Sequence, residues 1–151
     1  MYKKTITYTD YDGNERTENL YFHVKKSQII EMELRTPGGL RKKIEEIIAV
    51  NDIAGLIDTM NAFMRMAYGV KSEDGRRFIQ KTPEGRSLFD EFVETEAYEK
   101  YMDMLLDDTG EEAARLVNGA IPEELNLSQE QIEEEAKKLG LKAPTAVTKE
   151  S

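Results

Sequence analysis

The spacing of hydrophobic positions changes once along this chain, near residue 25. Before it, apolar and aromatic side chains recur at every second position, as in Ile6 and Tyr8 and again in Leu20, Phe22 and Val24. Asp12-Gly13-Asn14 lies between these two runs and supplies turn chemistry, so residues 2–24 are expected to form a β-hairpin. Parity constrains its register. A two-residue turn would set Ile6 opposite Asn19 and split the apolar positions between two faces. An odd-numbered loop or one bulge sets Ile6 opposite Leu20 or Phe22, so a three-residue or bulged turn is expected. A lone hairpin is marginal in water, and its apolar face must pack on helices or on another subunit.

From Lys26 the period lengthens to that of helices. Ile29, Ile30, Met32 and Leu34 predict a short helix that stops at Pro37-Gly38-Gly39, and Leu40, Ile44, Ile47 and Ile48 predict a second ending near Val50-Asn51. Asp52 is placed to cap a third, running to Tyr68 with Gly69 as C-cap, whose stripe is Ile53, Leu56, Ile57, Met60, Phe63, Met64 and Ala67. A loop follows at residues 71–75, then Phe78-Ile79 as a short extended piece. Thr82 with Pro83 reads as the start of a helix carrying Leu88, Phe89, Phe92 and Val93. Thr95 opens another, with Tyr98, Tyr101, Met102 and Leu105 inward. Thr109-Gly110-Glu111-Glu112 fits a capping box for a helix bearing Ala113, Leu116 and Val117, closed by Asn118-Gly119 and Pro122. The fold class expected is mainly α with an N-terminal β-hairpin, a single compact domain of short amphipathic helices. Residues 1–125 form that domain, residues 126–140 a charged, weakly docked helix opening at Ser128, and residues 141–151 a disordered tail.

Composition narrows the chemistry. The 151 residues are 39% hydrophobic and 34% charged, which suits one globular domain with a very polar surface. There is no cysteine, so disulfides, thiolate metal sites and cysteine nucleophiles are excluded, and a reducing cytosol suits the chain. Apolar runs fall far short of the ~20 residues that span a bilayer, and no signal-peptide core follows Lys3-Lys4. A net charge of −9 argues against nucleic-acid binding, which needs a basic surface.

No motif supplies a catalytic, cofactor or metal site. Asp10, Asp12 and Asn14 imitate the start of a calcium loop, but its sixth position is Glu15 and its twelfth Tyr21, where Gly and Glu are required. His23 is the only histidine and stands in a strand without a nucleophile or acid at known spacing, so a structural role is expected. Asp107, Asp108, Glu111 and Glu112 are read as helix-dipole partners and not as a cation site. Arg76 and Arg77 beside Phe78 make a basic spot suited to a partner carboxylate, although surface salt bridges to neighbouring acids are the stronger expectation. Most internal methionines fall on core stripes. Met66 lies off its stripe near Phe63, and Met104 off the Tyr98–Met102–Leu105 face. An apolar residue off the core stripe points to a partner groove. The candidate partner-binding residues are therefore Phe63, Met66, Arg76, Arg77, Phe78 and Met104.

Several stretches resemble one family in order along the chain. They are the opening Tyr2 to Phe22, the run Tyr68 to Ile79 (Tyr-Gly-Val-Lys-Ser-Glu-Asp-Gly-Arg-Arg-Phe-Ile), Thr95-Glu96-Ala97-Tyr98, and Val117 to Pro122 (Val-Asn-Gly-Ala-Ile-Pro). Together they make the chain similar to the tail assembly chaperones of siphophages that infect Gram-positive bacteria. The resemblance implies a non-enzymatic protein, without cofactor, that coats the tape measure protein and helps recruit major tail protein during tail morphogenesis. It implies action in the host cytoplasm, absence from the mature virion, and partnership with a frameshift-extended form of itself. Self-association into a homo-oligomer fits this picture, whereas nucleic acid and membrane do not. The alternative reading is a head–tail joining component or other virion structural adaptor. It shares the size, the acidity and the lack of catalytic groups.

Overall fold

A computed structural model describes residues 1–36, 38–107 and 109–121. Within them the chain builds an antiparallel sheet of four strands in the order β1-β2-β3-β4, with helices packed on one face. The strands are β1 (Tyr2–Thr9), β2 (Glu15–Phe22), β3 (Tyr68–Lys71) and β4 (Phe78–Ile79). The helices are α1 (Lys26–Arg35), α2 (Leu40–Ala49), α3 (Ile53–Ala67), α4 (Leu88–Val93), α5 (Glu96–Leu105) and α6 (Glu111–Ala120). The fold therefore has more sheet than a mainly α domain with one hairpin. No helix among the described residues is long and apolar enough to cross a membrane.

The hairpin tip has three residues, as parity requires. Asp10 N–H donates to the Asn14 carbonyl (2.9 Å) and Gly13 N–H to the Asp10 carbonyl (3.0 Å), with Gly13 at φ +84° where a side chain would be strained. The calcium-like motif is consumed by this turn. The Asp10 carboxylate accepts from Asp12 N–H and Asn14 N–H (both 2.9 Å) and from Arg16 Nε (2.5 Å). The register sets Ile6 opposite Glu18, and not opposite Leu20 or Phe22 as expected. Parity is preserved, so Ile6, Leu20 and Phe22 still share the inner face and all three are buried.

The third helix ends at Ala67, where its stripe ends, and not at Tyr68 as expected. Tyr68 and Gly69 belong to β3, paired with Phe22 and Tyr21, and Gly69 is not a C-cap. Gln80 fixes the change, its Nε2 donating to the carbonyls of Met66 (2.8 Å) and Tyr68 (3.0 Å). Gly69 is needed for close approach. A Cβ there would lie 2.7 Å from both the Ile79 carbonyl oxygen and the Phe78 ring. At the other end of α3, Asp52 caps as expected through a 2.9 Å bond from Gly55 N–H, but Ile53 is exposed and leaves the stripe.

Three further expectations are corrected. Thr82-Pro83 does not start a helix. Gly85 N–H returns to the Thr82 carbonyl and Thr82 N–H to that of Arg86 (both 2.8 Å), a turn with Pro83 at its first corner, and Ser87 caps α4 instead. Thr109 to Glu112 is not a capping box. Gly110 is the N-cap, in the left-handed region, and Glu112 turns into the core. Asn118 and Gly119 lie within α6, which continues to Ala120. Pro37, Asp108, Pro122 and the segments 126–140 and 141–151 lie outside the described residues.

The core joins the inner sheet face to α3, α4, α5 and α6. Phe22 stacks on Tyr101 (centroids 5.6 Å) and meets Tyr68 (5.7 Å), which stacks on Phe92 (4.6 Å). Glu112, 5% exposed, is the one buried charged residue among the described residues. Its carboxylate accepts from the hydroxyls of Tyr2 (2.7 Å) and Tyr101 (2.8 Å) and from Lys4 Nζ (3.1 Å). Burial alone would raise its pKa. The bonds from Tyr2, Tyr101 and Lys4 outweigh that and hold it below the usual glutamate range. Burial and Glu112 together push the Tyr2 and Tyr101 hydroxyls up, so both stay protonated as donors.

Candidate partner-binding site

An apolar groove runs between α1, α2 and α3. Its volume is about 240 Å³, and it is lined by Met32, Ala62, Phe63 and Met66, with Thr36, Lys43, Asp58 and Thr59 at its polar margin. The local sequence explains it. On α3 the buried positions Met60, Phe63, Met64 and Ala67 face the core, while Ala62 and Met66 fall on the flank. A small side chain at Ala62 leaves the space that a longer one would fill. Met32 contributes a half-buried thioether chain from α1.

Phe63 is 2% exposed, so it belongs to the core as well as to the groove and forms the groove's floor. Met66 is half-buried and packs against the core. The sequence pattern thus locates two groove residues and misses Met32, Ala62 and Lys43. Met32 carries a signal, being a methionine beside two buried isoleucines on a short helix. The contributions of α2 are invisible until the helices are docked. Met104 is half-buried against the core and does not line this groove.

Arg76, Arg77 and Phe78 lie elsewhere, at the second hairpin. Both arginines are exposed, and the expected salt bridges are not made by their side chains among the described residues. The nearest acid is already engaged. Asp74 Oδ1 accepts from Ser72 Oγ (2.8 Å) and Arg76 N–H (3.0 Å), and these bonds hold its carboxyl below the usual range. Phe78 lies over Gly69 on the outer sheet face and meets His23 edge-on (centroids 5.8 Å).

Strand alternation puts Lys3, Tyr21, Gly69, Lys71 and Phe78 on that same outer face. Reading Tyr68 as the last residue of a helix and Gly69 as its C-cap hides this, although the alternation of residues 68–71 and the Asp74-Gly75 turn are strand signals. His23 carries the one buried side-chain polar atom without a hydrogen-bond partner among the described residues, Nδ1. Burial depresses its pKa, and so do the nearby N-terminal amine and Lys25. Among the described residues no group of three or more His, Asp or Glu is placed to hold a metal ion.

Residues 1–150 match the model of a family described as phage tail assembly chaperone. No curated protein and no solved structure matches the chain.

Proposed function

Because this chain belongs to the phage tail assembly chaperone family, we propose that it is a non-enzymatic binding protein that covers the tape measure protein during tail assembly. The observation that carries this reading is the groove of α1, α2 and α3. Its 240 Å³ is below the roughly 300–1,000 Å³ of small-molecule pockets, and its lining is apolar, which suits the anchor side chains of a partner helix. Met32 and Met66 adapt to anchors of different shape, as a long partner presenting many similar helical segments demands. Many copies along one partner gain avidity without a tight single contact.

The remaining roles follow the same reading. The protein acts in the host cytoplasm, leaves before the virion is complete, and works with a frameshift-extended form of itself. Among the described residues β1 is an edge strand, and it offers main-chain donors and acceptors for self-association or for recruiting major tail protein.

The test uses the full chain with Ala62→Glu and, separately, Met66→Glu. Ala62 is exposed, so its replacement should leave the melting temperature nearly unchanged. A charge in the groove should reduce capture of the co-expressed tape measure protein by roughly tenfold or more. Normal capture by folded Ala62→Glu protein would remove the groove from the interface. Retention of the protein in purified particles would favour the virion-adaptor reading.

A further inference from the structure

The first strand is an edge without the usual protection. β1 runs for eight residues in unbroken register with β2, with no proline and no bulge. Asp10 N–H donates to the Asn14 carbonyl, so the even-numbered residues of β1 make its bonds to β2. The N–H and C=O groups of Lys3, Thr5, Thr7 and Thr9 therefore point away from the sheet. None of them has a backbone partner among the described residues. Thr5 to Thr9 are consecutive uncharged β-formers in a chain that is 34% charged. The edge of β2 beyond its short pairing with β3 differs, carrying Glu15, Arg16 and Glu18.

Charge is divided between the ends of β1. Lys3 and Lys4 stand at its start, and Asp10 and Asp12 follow its end. A polar cleft of about 570 Å³ opens beside Thr7 and Thr9, with Glu15, Glu96 and Glu99 on its walls and Lys100 as its one cation. Neither these three glutamates nor Lys3 make an ion pair among the described residues. A strand laid antiparallel along this edge, with lysines at its start, brings cations to the cleft. β1 of a second copy is such a strand, whereas a parallel copy would set lysine beside lysine.

We infer that two copies of this chain pair antiparallel through β1, with Ile6 opposite Ile6 of the second copy. Parity and charge choose this register. The outward groups meet only when odd-numbered residues face odd-numbered ones, which also keeps both sets of helices on one side of the joined sheet. Among such registers, the one centred on Ile6 sets Lys3 across from Thr9 of the second copy. Glu15 is the next residue in that row on the same face, within reach of a lysine side chain. Thr5 meets Thr7 of the second copy on both sides of the two-fold axis, and the odd-numbered pairs together make about eight main-chain bonds. The same surface serves both copies, so the contact closes at two and joins two four-stranded sheets into one. The inference rests on the proposed reading of β1 as a self-association edge, and not on the groove of α1, α2 and α3.

Sedimentation equilibrium of the full chain tests it without any other protein. A dimer with a Kd of about 10 μM or tighter is expected at low salt. Thr7→Pro removes an outward N–H that an edge strand can spare, so the protein should keep its circular dichroism yet stay monomeric at roughly 100 μM. Lys3→Glu should weaken the dimer about tenfold, and adding Glu15→Lys should restore it. Within one chain these two positions lie at opposite ends of the hairpin, so restoration reports a contact between copies. This exchange decides the matter if Thr7→Pro fails to fold. Wild-type protein that is monomeric at ~1 mM, assembly beyond the dimer, a folded Thr7→Pro dimer, or a dimer unchanged by Lys3→Glu would overturn the inference. So would a monomer that captures co-expressed major tail protein and loses it on Thr7→Pro, which gives the edge to that partner. Dimerisation without capture of the tape measure protein would sink the groove reading and sustain this one.

Discussion

Tyr2 and Gly119 are in contact so close that a Cβ on Gly119 would lie 2.6 Å from Tyr2 Cδ1. The first residue of the first strand thus packs on the backbone of the last described helix. Glycine inside α6 is costly for the helix alone, by about 1 kcal/mol relative to alanine. Here the ring of Tyr2 occupies the space that a methyl group would take. Gly119→Ala is therefore expected to destabilise by about 1–2 kcal/mol despite its better helix propensity. In a Tyr2→Ala background the same change should stabilise. Denaturant unfolding of the four proteins in this cycle measures the coupling, and equal effects in both backgrounds would show that the ring is not the cause.

Glu112→Gln tests the buried carboxylate. Replacing the charge removes charge-assisted bonds from Tyr2, Tyr101 and Lys4 and is expected to cost about 2–3 kcal/mol at pH 7. Because the folded carboxyl lies below its ordinary value, the unfolded state binds more protons around and below pH 4.5. The stabilisation is present above that value and is lost as pH falls through the lowered one. The wild-type advantage over Glu112→Gln should accordingly shrink on acidification, read by chemical denaturation at pH 7 and pH 3. A constant difference would assign the effect to shape and not to charge.

Phe22 is fully buried between Tyr68 and Tyr101. Phe22→Ala should cost ~3–5 kcal/mol and lower the melting temperature by many degrees. A thermal melt within a degree or two of wild type would mean that the inner sheet face does not carry the core.

Gly69→Ala probes the junction of β3 and β4. The added carbon meets a backbone oxygen, which cannot swing aside as a side chain can, so a loss of about 1–3 kcal/mol is expected. Amide exchange should speed up around Val70 and Ile79 more than in β1, and uniform protection would contradict this placement.

Where local chemistry and tertiary packing agree, the sequence was legible. Ile6, Leu20 and Phe22 share a face because strand parity leaves one register class, and Thr95 caps α5 because a hydroxyl there satisfies a free N–H. The misses share a cause. Tyr68 and Gly69 follow a helical stripe as a helix end and its glycine cap would, and only pairing with Tyr21 and Phe22 turns them into a strand. Pro83 serves a turn corner as well as a helix start, and Gly85 decides between them. Glu112 fits a capping box in sequence, but two tyrosines and a lysine distant along the chain claim its carboxylate. Of the candidate site, Phe63 and Met66 were readable from helical phase. The groove was not, since it exists only where three helices meet.

The bond network at Glu112 also orders events during synthesis. A chain made from its N-terminus can zip the first hairpin early, since its tip closes through neighbours. Tyr2 and Lys4 must then wait for a carboxylate made more than one hundred residues later. Such distant closure is entropically slow, so the nascent protein exposes its inner sheet face through most of translation. For a protein proposed to shield another chain, self-protection is among the last steps of its own making.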